Sequence, residues 1–253
     1  MPAGHSRVAD YDSIAARYDR RYALHQYHGI SETMLSFIGP EPLPAILEAG
    51  CGTGHWLQLM RGRASIVVGM DLSMRMLARA RQTASDAAIV RARAEQLPWR
   101  DGAFDRIVCV NALHHFTDRE QFFTDARRAL KHGGGLLVVG LDPHAERDEW
   151  WVYDFFPETR EIDRARFAPI RIIRGELTKA GFAWAESFEA ARLEAQLPVA
   201  EVFPDGIDRS FTSQLTVLTD EEFARGVSRM RDAGDDLRLT SDLHFYATVG
   251  WLR

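Results

Sequence analysis

Ile46-Leu-Glu-Ala-Gly-Cys-Gly-Thr-Gly-His-Trp56 is the stretch on which the fold turns. A short apolar run, Ala45 to Ala49, enters a loop with glycines at 50, 52 and 54, and Trp56, Leu57, Leu59 and Met60 suggest a helix beyond it. Glycines at a strand–helix junction permit positive φ and let a ligand approach the backbone closely. The start of a helix adds unsatisfied N–H groups. Nineteen residues after Gly52, the β-rich run Ser65 to Met70 ends at Asp71. A carboxylate at the tip of a second strand can accept hydrogen bonds from both hydroxyls of a ribose. Loop and acid together point to a nucleoside-containing cofactor at the carboxyl end of a parallel sheet, where open α/β folds bind their ligands.

The loop is not a dinucleotide fingerprint. G-x-G-x-x-G requires a third glycine, or a close variant, where His55 stands. Instead Glu48 lies two residues before Gly50, and E-x-G-x-G-x-G suits a ligand without a pyrophosphate.

Outward from this loop the chain alternates. Ser73 can cap a helix with Met76, Leu77 and Ala80 on one face. Ala87 to Val90 reads as a weak strand and Phe104 to Val110 as a strong one. A capping box, Asp118/Gln121 or Thr117/Glu120, opens a helix with Phe122, Ala126, Ala129 and Leu130 inward, ended by Gly133 to Gly135. Leu136 to Leu141 is a further buried-strand run. Strand–helix alternation over residues 45 to 142 predicts a parallel sheet covered on both faces. Upstream, residues 8 to 38 read as two helices. Downstream, residues 144 to 170 are charged and aromatic. Arg174 to Ala180 reads as a helix, Phe182 to Leu193 as a long strand, residues 198 to 240 as a partly helical insertion, and Leu243 to Leu252 as a closing strand.

The 253 residues are 46% hydrophobic and 26% charged, with 19 Gly and 10 Pro, which are globular proportions. Two cysteines, Cys51 and Cys109, argue against a disulfide scaffold and exclude a four-cysteine zinc site, and no metal is expected. The net charge of -5 gives no general attraction to nucleic acid or an anionic membrane. No window reaches the roughly 20 apolar residues of a membrane helix, and the N-terminal residues carry no signal-peptide core. A cytoplasmic location follows as the expectation, with no nucleic-acid or membrane partner.

With these motifs in place, the chain resembles the class I S-adenosylmethionine (SAM)-dependent methyltransferases. It is most similar to the small-molecule branch that includes ubiquinone/menaquinone-biosynthesis-type enzymes. The resemblance spans roughly residues 8 to 142. It is carried by Tyr11 to Asp19, Glu48 to Gly54, Gly69 to Leu77, Ala94 to Trp99 with Asp101 to Asp105, Leu113-His-His-Phe116, and the glycine turn at 133 to 135. It implies a Rossmann-like, doubly wound α/β fold with a seven-stranded, mostly parallel sheet whose last strand is antiparallel. One methyltransferase domain over 1–253 would comprise a helical N-terminal cap (1–43), a SAM-binding core (44–143) and acceptor-side insertions (144–170 and 198–240) over the active-site edge. The implied reaction is methyl transfer from SAM, with S-adenosylhomocysteine as product, to a small-molecule acceptor; an oxygen nucleophile is the expectation, with carbon, nitrogen or sulfur as the other options. An RNA or protein methyltransferase and a non-catalytic SAM-binding protein are the alternatives.

The resemblance also implies site residues. Gly50 and Gly52, with Glu48 and Gly54 of the same motif, would lie by the methionine portion. Asp71 would hold the ribose, Leu72 would pack on the adenine, and Ala94 and Glu95 would meet the adenine edge. Asn111 would reach the methionine part through its backbone, and Tyr18 would close over the cofactor. Arg93 departs from the family, which often has an acid there. A guanidinium cannot accept from the adenine amino group, so that contact is lost or passes to Glu95. His114 and His115, past the fourth strand, are catalytic candidates as a general base, with Asp142 past the fifth strand as orienting partner. The same histidines could instead only shape the cofactor pocket. His144 is a lesser candidate for the base. Trp150, Trp151, Tyr153, Phe155, Phe156 and Phe167 could form an apolar wall for a planar acceptor, or simply pack the insertion or a dimer contact. Arg160 to Arg174, interleaved with Glu161 and Asp163, reads as a solvated face.

Overall fold

The computed structural model describes residues 11–15, 17–25, 27–234 and 236–253. Five parallel strands, β1 (Leu43–Ala49), β2 (Ala64–Asp71), β3 (Ala88–Arg91), β4 (Phe104–Val110) and β5 (Leu130–Leu141), lie in the order β3-β2-β1-β4-β5. Three more follow: β6 (Glu149–Trp150), β7 (Trp184–Pro198) and β8 (Arg238–Trp251). β8 runs antiparallel to β5 from Gly135↔Trp251 to Leu141↔Phe245, and β7 flanks its other edge from Trp184↔Trp251 to Pro198↔Arg238. This is the Rossmann-like α/β sheet with an antiparallel last strand that the resemblance implies. The two-residue β6 brings the sheet to eight strands.

Period-two alternation divides the core. Ile46, Val108, Val110, Leu137 and Val139 point to one face, where α3 (His28–Ile38, after the short α1, Tyr11–Ile14, and α2, Arg20–Leu24) brings Ile30, Met34, Phe37 and Ile38. Leu47, Ile107, Cys109, Leu136 and Val138 point to the other. There they meet Phe122, Phe123, Ala126 and Ala129 of α5 (Arg119–Ala129, which follows α4, Met74–Thr83). With both faces covered, β4 is apolar without interruption from Ile107 to Val110, and β1 is buried from Ala45 to Ala49 with Glu48 as its one charged residue.

The segments beyond the parallel strands share the first of these cores. Between β5 and α8 (Ile170–Lys179) come α6 (Trp151–Phe155) and α7 (Glu158–Arg166). Residues 199–237 carry α9 (Val199–Val202), α10 (Ser213–Thr216) and α11 (Asp220–Asp232). Trp151, Phe156, Phe203, Leu215 and Met230 are buried in one cluster with Ile46 and Val139. Pro198 and Arg238 are register partners, so residues 199–237 leave and re-enter the sheet at adjacent points. β6 pairs with Ser241 and Asp242, beyond the end of β5. Both segments therefore overhang the end of the sheet where β1, β4 and β5 finish.

Local structure departs from the sequence reading in four places. The expected helix pair over 8–38 is three helical pieces, and residues 8–10 lie outside the described residues. The run after Trp56 is a single 3₁₀ turn, Leu57–Met60. The chain re-enters the sheet at Leu130, ahead of the glycines, because Leu130 pairs with Phe104. β7 and β8 outrun their expected limits because they pair with each other beyond the parallel sheet, where a half-exposed alternation has no strong apolar signal. Ser73 and Asp118 cap as expected, accepting from Met76 N (3.1 Å) and Gln121 N (2.9 Å). Among the described residues, no helix is long and apolar enough to cross a membrane.

Candidate active site

The glycine loop and Asp71 are joined directly. Asp71 Oδ2 accepts from Gly52 N–H at 2.9 Å, and Oδ1 accepts from Ser73 N–H at 2.9 Å. The loop is tied to β2 as well, since Gly50 N–H and Cys51 N–H both donate to Met70 C=O, at 2.8 and 2.9 Å. Gly50, Gly52 and Gly54 have φ of 76°, 52° and 85°. Their reasons for being glycine differ. A Cβ on Gly50 would stand 2.4 Å from Ala112 Cβ. One on Gly52 would meet only the Tyr18 ring, at 4.0 Å, and would project into open space.

That open space is a cavity of ≈ 440 Å³ beside the loop, within the usual range for ligand sites. Gly50, Gly52, Asp71, Leu72, Ala94, Glu95 and Asn111 line it, together with Tyr11, Tyr18 and Tyr22 from the N-terminal segment. Of the sequence candidates, Gly54 and Glu48 stand behind this wall: Gly54 packs on Ala80, and Glu48 is fully buried. Asn111 has φ 50°, a left-handed conformation that asparagine tolerates better than most residues, and its N–H donates to Val139 C=O at 2.8 Å. Glu95 accepts from Thr117 N–H and Oγ1, both at 2.7 Å, and its Oε2 lies 3.5 Å from Arg93 Nε. The departure at Arg93 is thus met by an ion pair with the neighbouring acid. His55, standing where a dinucleotide loop would need glycine, stacks on Tyr22 with ring centroids 3.7 Å apart.

Burial pushes the Asp71 carboxyl up, while hydrogen bonds from the Ser73, Gly52 and Leu72 backbone oppose that rise. Glu48 has no such help. Neither of its oxygens has a hydrogen-bond partner, and burial, with the Asp71 charge second, holds its pKa well above the ordinary glutamate range. A carboxyl protonated in the folded state but ionised in the unfolded state costs stability as pH rises past its unfolded value. Glu48→Gln is therefore expected to flatten this loss, so that the variant's melting temperature gains on wild type steadily from acid to alkaline pH. Parallel pH-dependences of the two melting temperatures would show Glu48 to be ionised in the folded protein.

A second cavity of ≈ 70 Å³ adjoins the first, and Tyr11, Tyr18 and Asn111 line both. Its other walls include Tyr27, Trp150, Phe167, Phe211 and Phe245, with Thr212, Ser213, Gln214 and Ser241 as the polar part. Among the described residues that line it, none is Asp, Glu, Lys or Arg. Of the aromatic segment, only Trp150 and Phe167 reach this wall, while Trp151, Tyr153 and Phe156 are buried in the core behind it. The segment around Arg166 is not simply a solvated face either: Asp163 is 0% exposed, because Tyr153 Oη and Gln214 Nε2 donate to it at 2.9 and 3.0 Å.

The two histidines part company. His114 stacks on Phe167, with centroids 3.9 Å apart, and lines the second cavity, whereas His115 lines the first. Asp142 is buried, and its carboxylate takes backbone N–H groups, His144 at 3.1 Å and Ile170 at 2.9 Å. It fastens the turn after β5 to the start of α8. His144 Nε2 lies 3.0 Å from Phe167 C=O. Sequence reasoning passed over Tyr22 and Gln214 and placed Arg166 on a solvated face, because their approach to the site depends on long-range packing.

The N-terminal segment is fastened over this region from both sides. Asp19 accepts from Thr53 Oγ1 and pairs with Arg79 at 2.8 Å. Arg17 pairs with Asp208 at 2.6 Å and Arg20 with Asp205 at 2.9 Å. Tyr11 and Tyr18 are separated by the turn after Ile14, and their rings meet edge-on at 5.8 Å.

Residues 47–138 match the family model described as a methyltransferase domain. Residues 47–138 thus form a SAM-dependent methyltransferase domain. This methyltransferase is 28% identical over 159 residues to the demethylmenaquinone methyltransferase of Thermotoga maritima, covering 59% of its own length and 68% of that relative. It is 28% identical over 204 residues to a malonyl-[acyl-carrier protein] O-methyltransferase of Geobacter sulfurreducens, covering 76% and 73% of the two chains. In fold the methyltransferase is similar to the crystal structure of the YcgJ protein of Bacillus subtilis. The TM-score is 0.65 at 17% identity, over 89% of this chain and 99% of that one.

SAM is the cofactor of this family, and the cavity fits it. Gly52 leaves clear the volume a Cβ would fill, and a half-buried carboxylate, Asp71, stands on the wall beside it.

Proposed function

We propose that the protein transfers the methyl group of SAM to the hydroxyl of a small, uncharged, largely apolar acceptor. The observation that carries this reading is the second cavity, aromatic and, among the described residues that line it, without Asp, Glu, Lys or Arg, opening onto the first at Tyr11, Tyr18 and Asn111. A phosphorylated or carboxylated acceptor would be desolvated there without a counter-charge, which is strongly unfavourable. In this reading Asp71 holds the ribose hydroxyls, Leu72, Ala94 and Glu95 bound the adenine, and Gly50, Gly52 and the Asn111 backbone receive the methionine part. Tyr18 closes the site, and Glu48 and Gly54 support the loop from behind. The single domain then divides as the motifs suggest, with residues 1–43 as a cap, 44–143 as the cofactor core, and 144–170 and 198–240 roofing the acceptor.

Bound SAM would supply an electrophilic methyl to the acceptor oxygen and would depart as a neutral thioether. His114, on the acceptor wall, would take the proton that the acceptor hydroxyl gives up. Desolvation by the aromatic walls and alignment across the junction contribute much of the acceleration. Asp142 holds α8 in place through the Ile170 N–H. His114→Ala is expected to slow turnover by about 100-fold or more, within the range for general bases, while leaving SAM affinity near wild type. Unaltered turnover would remove His114 from the mechanism.

The first experiment is calorimetric titration with SAM, S-adenosylhomocysteine and NADH. Saturable binding of the two adenosyl-sulfur ligands alone is expected, and NADH binding would overturn the cofactor reading. Product formation is then followed by mass spectrometry across uncharged phenols and alcohols, a malonyl thioester and bulk RNA. Turnover confined to the malonyl thioester or RNA would overturn the acceptor reading.

A further inference from the structure

The last residue of α7, Arg166, reaches from the roof to His115. Its Nη2 lies 3.3 Å from His115 Nδ1, and its side chain is 11% exposed. On the other side of the guanidinium, Nη1 lies 3.7 Å from Asp163 Oδ1, in a carboxylate that is itself fully buried. A guanidinium carries five donors and no acceptor, and it stays protonated in proteins. His115 Nδ1 must therefore be the acceptor in this contact. A neutral imidazole whose Nδ1 lone pair is engaged carries its proton on Nε2. His115 Nε2 faces the Tyr11 hydroxyl within hydrogen-bonding distance, and the two rings meet edge-on with centroids 4.7 Å apart. The N–H donates and the phenol oxygen accepts.

We propose that Arg166 is a positioning residue that locks His115 in the Nε2–H tautomer. His115 is thereby a hydrogen-bond donor that pins the Tyr11 ring at the junction of the two cavities, and it is not the base. Asp163 balances the guanidinium charge and, through its bond to Gln214, links this lock to the polar wall of the second cavity. The meaning of the junction rests on the reading of the cavities as cofactor and acceptor sites; the tautomer does not.

Long-range ¹⁵N–¹H spectra of histidine-labelled protein at pH 7 test the lock, with His115 identified by the signal lost in His115→Gln. The expected pattern is an unprotonated Nδ1 and a protonated Nε2 in wild type. In Arg166→Met the two nitrogen shifts move toward each other as the tautomers mix. A mixed or Nδ1–H pattern in wild type, or an unchanged pattern in Arg166→Met, would overturn the proposal.

Because removing Arg166 leaves Asp163 without its counter-charge, a second pair of variants leaves that ion pair intact. The glutamine amide of His115→Gln can replace the Nε2–H donor, whereas His115→Ala cannot. S-adenosylhomocysteine affinity is expected to fall about fivefold in His115→Ala, near the net worth of one neutral hydrogen bond, and no more than about twofold in His115→Gln. Equal losses would also overturn it. Failure of wild type to bind S-adenosylhomocysteine would refute the cofactor reading and leave the tautomer result standing.

Discussion

Gly50→Ala is expected to destabilise the fold by about 2–5 kcal/mol. Placing a Cβ at φ 76° costs roughly 1–2 kcal/mol. Overpacking against Ala112, 2.4 Å away, adds about 1–3 kcal/mol. The loop cannot relax by turning the peptide, because Gly50 and Cys51 both donate to Met70 C=O. Urea unfolding of the variant measures the loss, and a cost below about 1 kcal/mol would mean that the loop yields. The double variant Gly50→Ala/Ala112→Gly should recover the contact share and keep the backbone share. Gly52→Ala, two residues on, should behave differently. Its Cβ meets nothing closer than 4.0 Å, so its stability cost is confined to roughly the 1–2 kcal/mol of the backbone. Its methyl group enters the cavity, and S-adenosylhomocysteine affinity should fall more than stability does.

Asp71→Ala is expected to weaken SAM binding by about 1.5–3 kcal/mol, the range for hydrogen bonds to a charged group. That is roughly ten- to hundredfold in Kd. The carboxylate has two duties: it accepts from Gly52 and Ser73 N–H groups, and it stands on the cavity wall. In the proposed reading alanine therefore removes the ribose contact, and it also leaves two backbone donors without their partner. Asp71→Asn is not conservative for the same reason. Its amide NH₂ must face one of those N–H groups, donor against donor. Calorimetry with SAM should show both variants weakened, and unchanged affinity in Asp71→Ala would move the ribose elsewhere.

How far the site could be read from the chain depended on where its parts lie in sequence. Glu48 to Gly54 and Asp71 are motifs whose spacing follows from a strand, a turn and the next strand, so local chemistry was enough to bring them together. His114 and His115 were legible as a pair at a strand end but not as individuals. One faces the small aromatic cavity and the other the large one, and neighbouring residues on a short 3₁₀ turn point differently. Asp142 was placed at the correct edge, but its hydrogen bonds go to the backbone of His144 and Ile170. An acid in a tight turn finds nearby N–H groups before it finds a distant imidazole. Arg160 to Arg174 looked solvated because charge alternates along it, yet the fold buries Asp163 and directs Arg166 inward.

By itself the sequence determined the α/β alternation, the SAM-type loop with its acid, and the cap at Ser73, and it narrowed the cap of α5 to Thr117 or Asp118. These depend on backbone conformation and on neighbours within a few residues. The tertiary structure alone decided what lies over the loop. Tyr11 reaches His115 across 104 residues, Arg17 reaches Asp208 across 191, and Gln214 reaches Asp163 across 51. Such pairs leave no periodicity in the chain. The last two form only because β7 and β8 return residues 199–237 to the carboxyl end of the sheet, where that segment meets the N-terminal residues and α7.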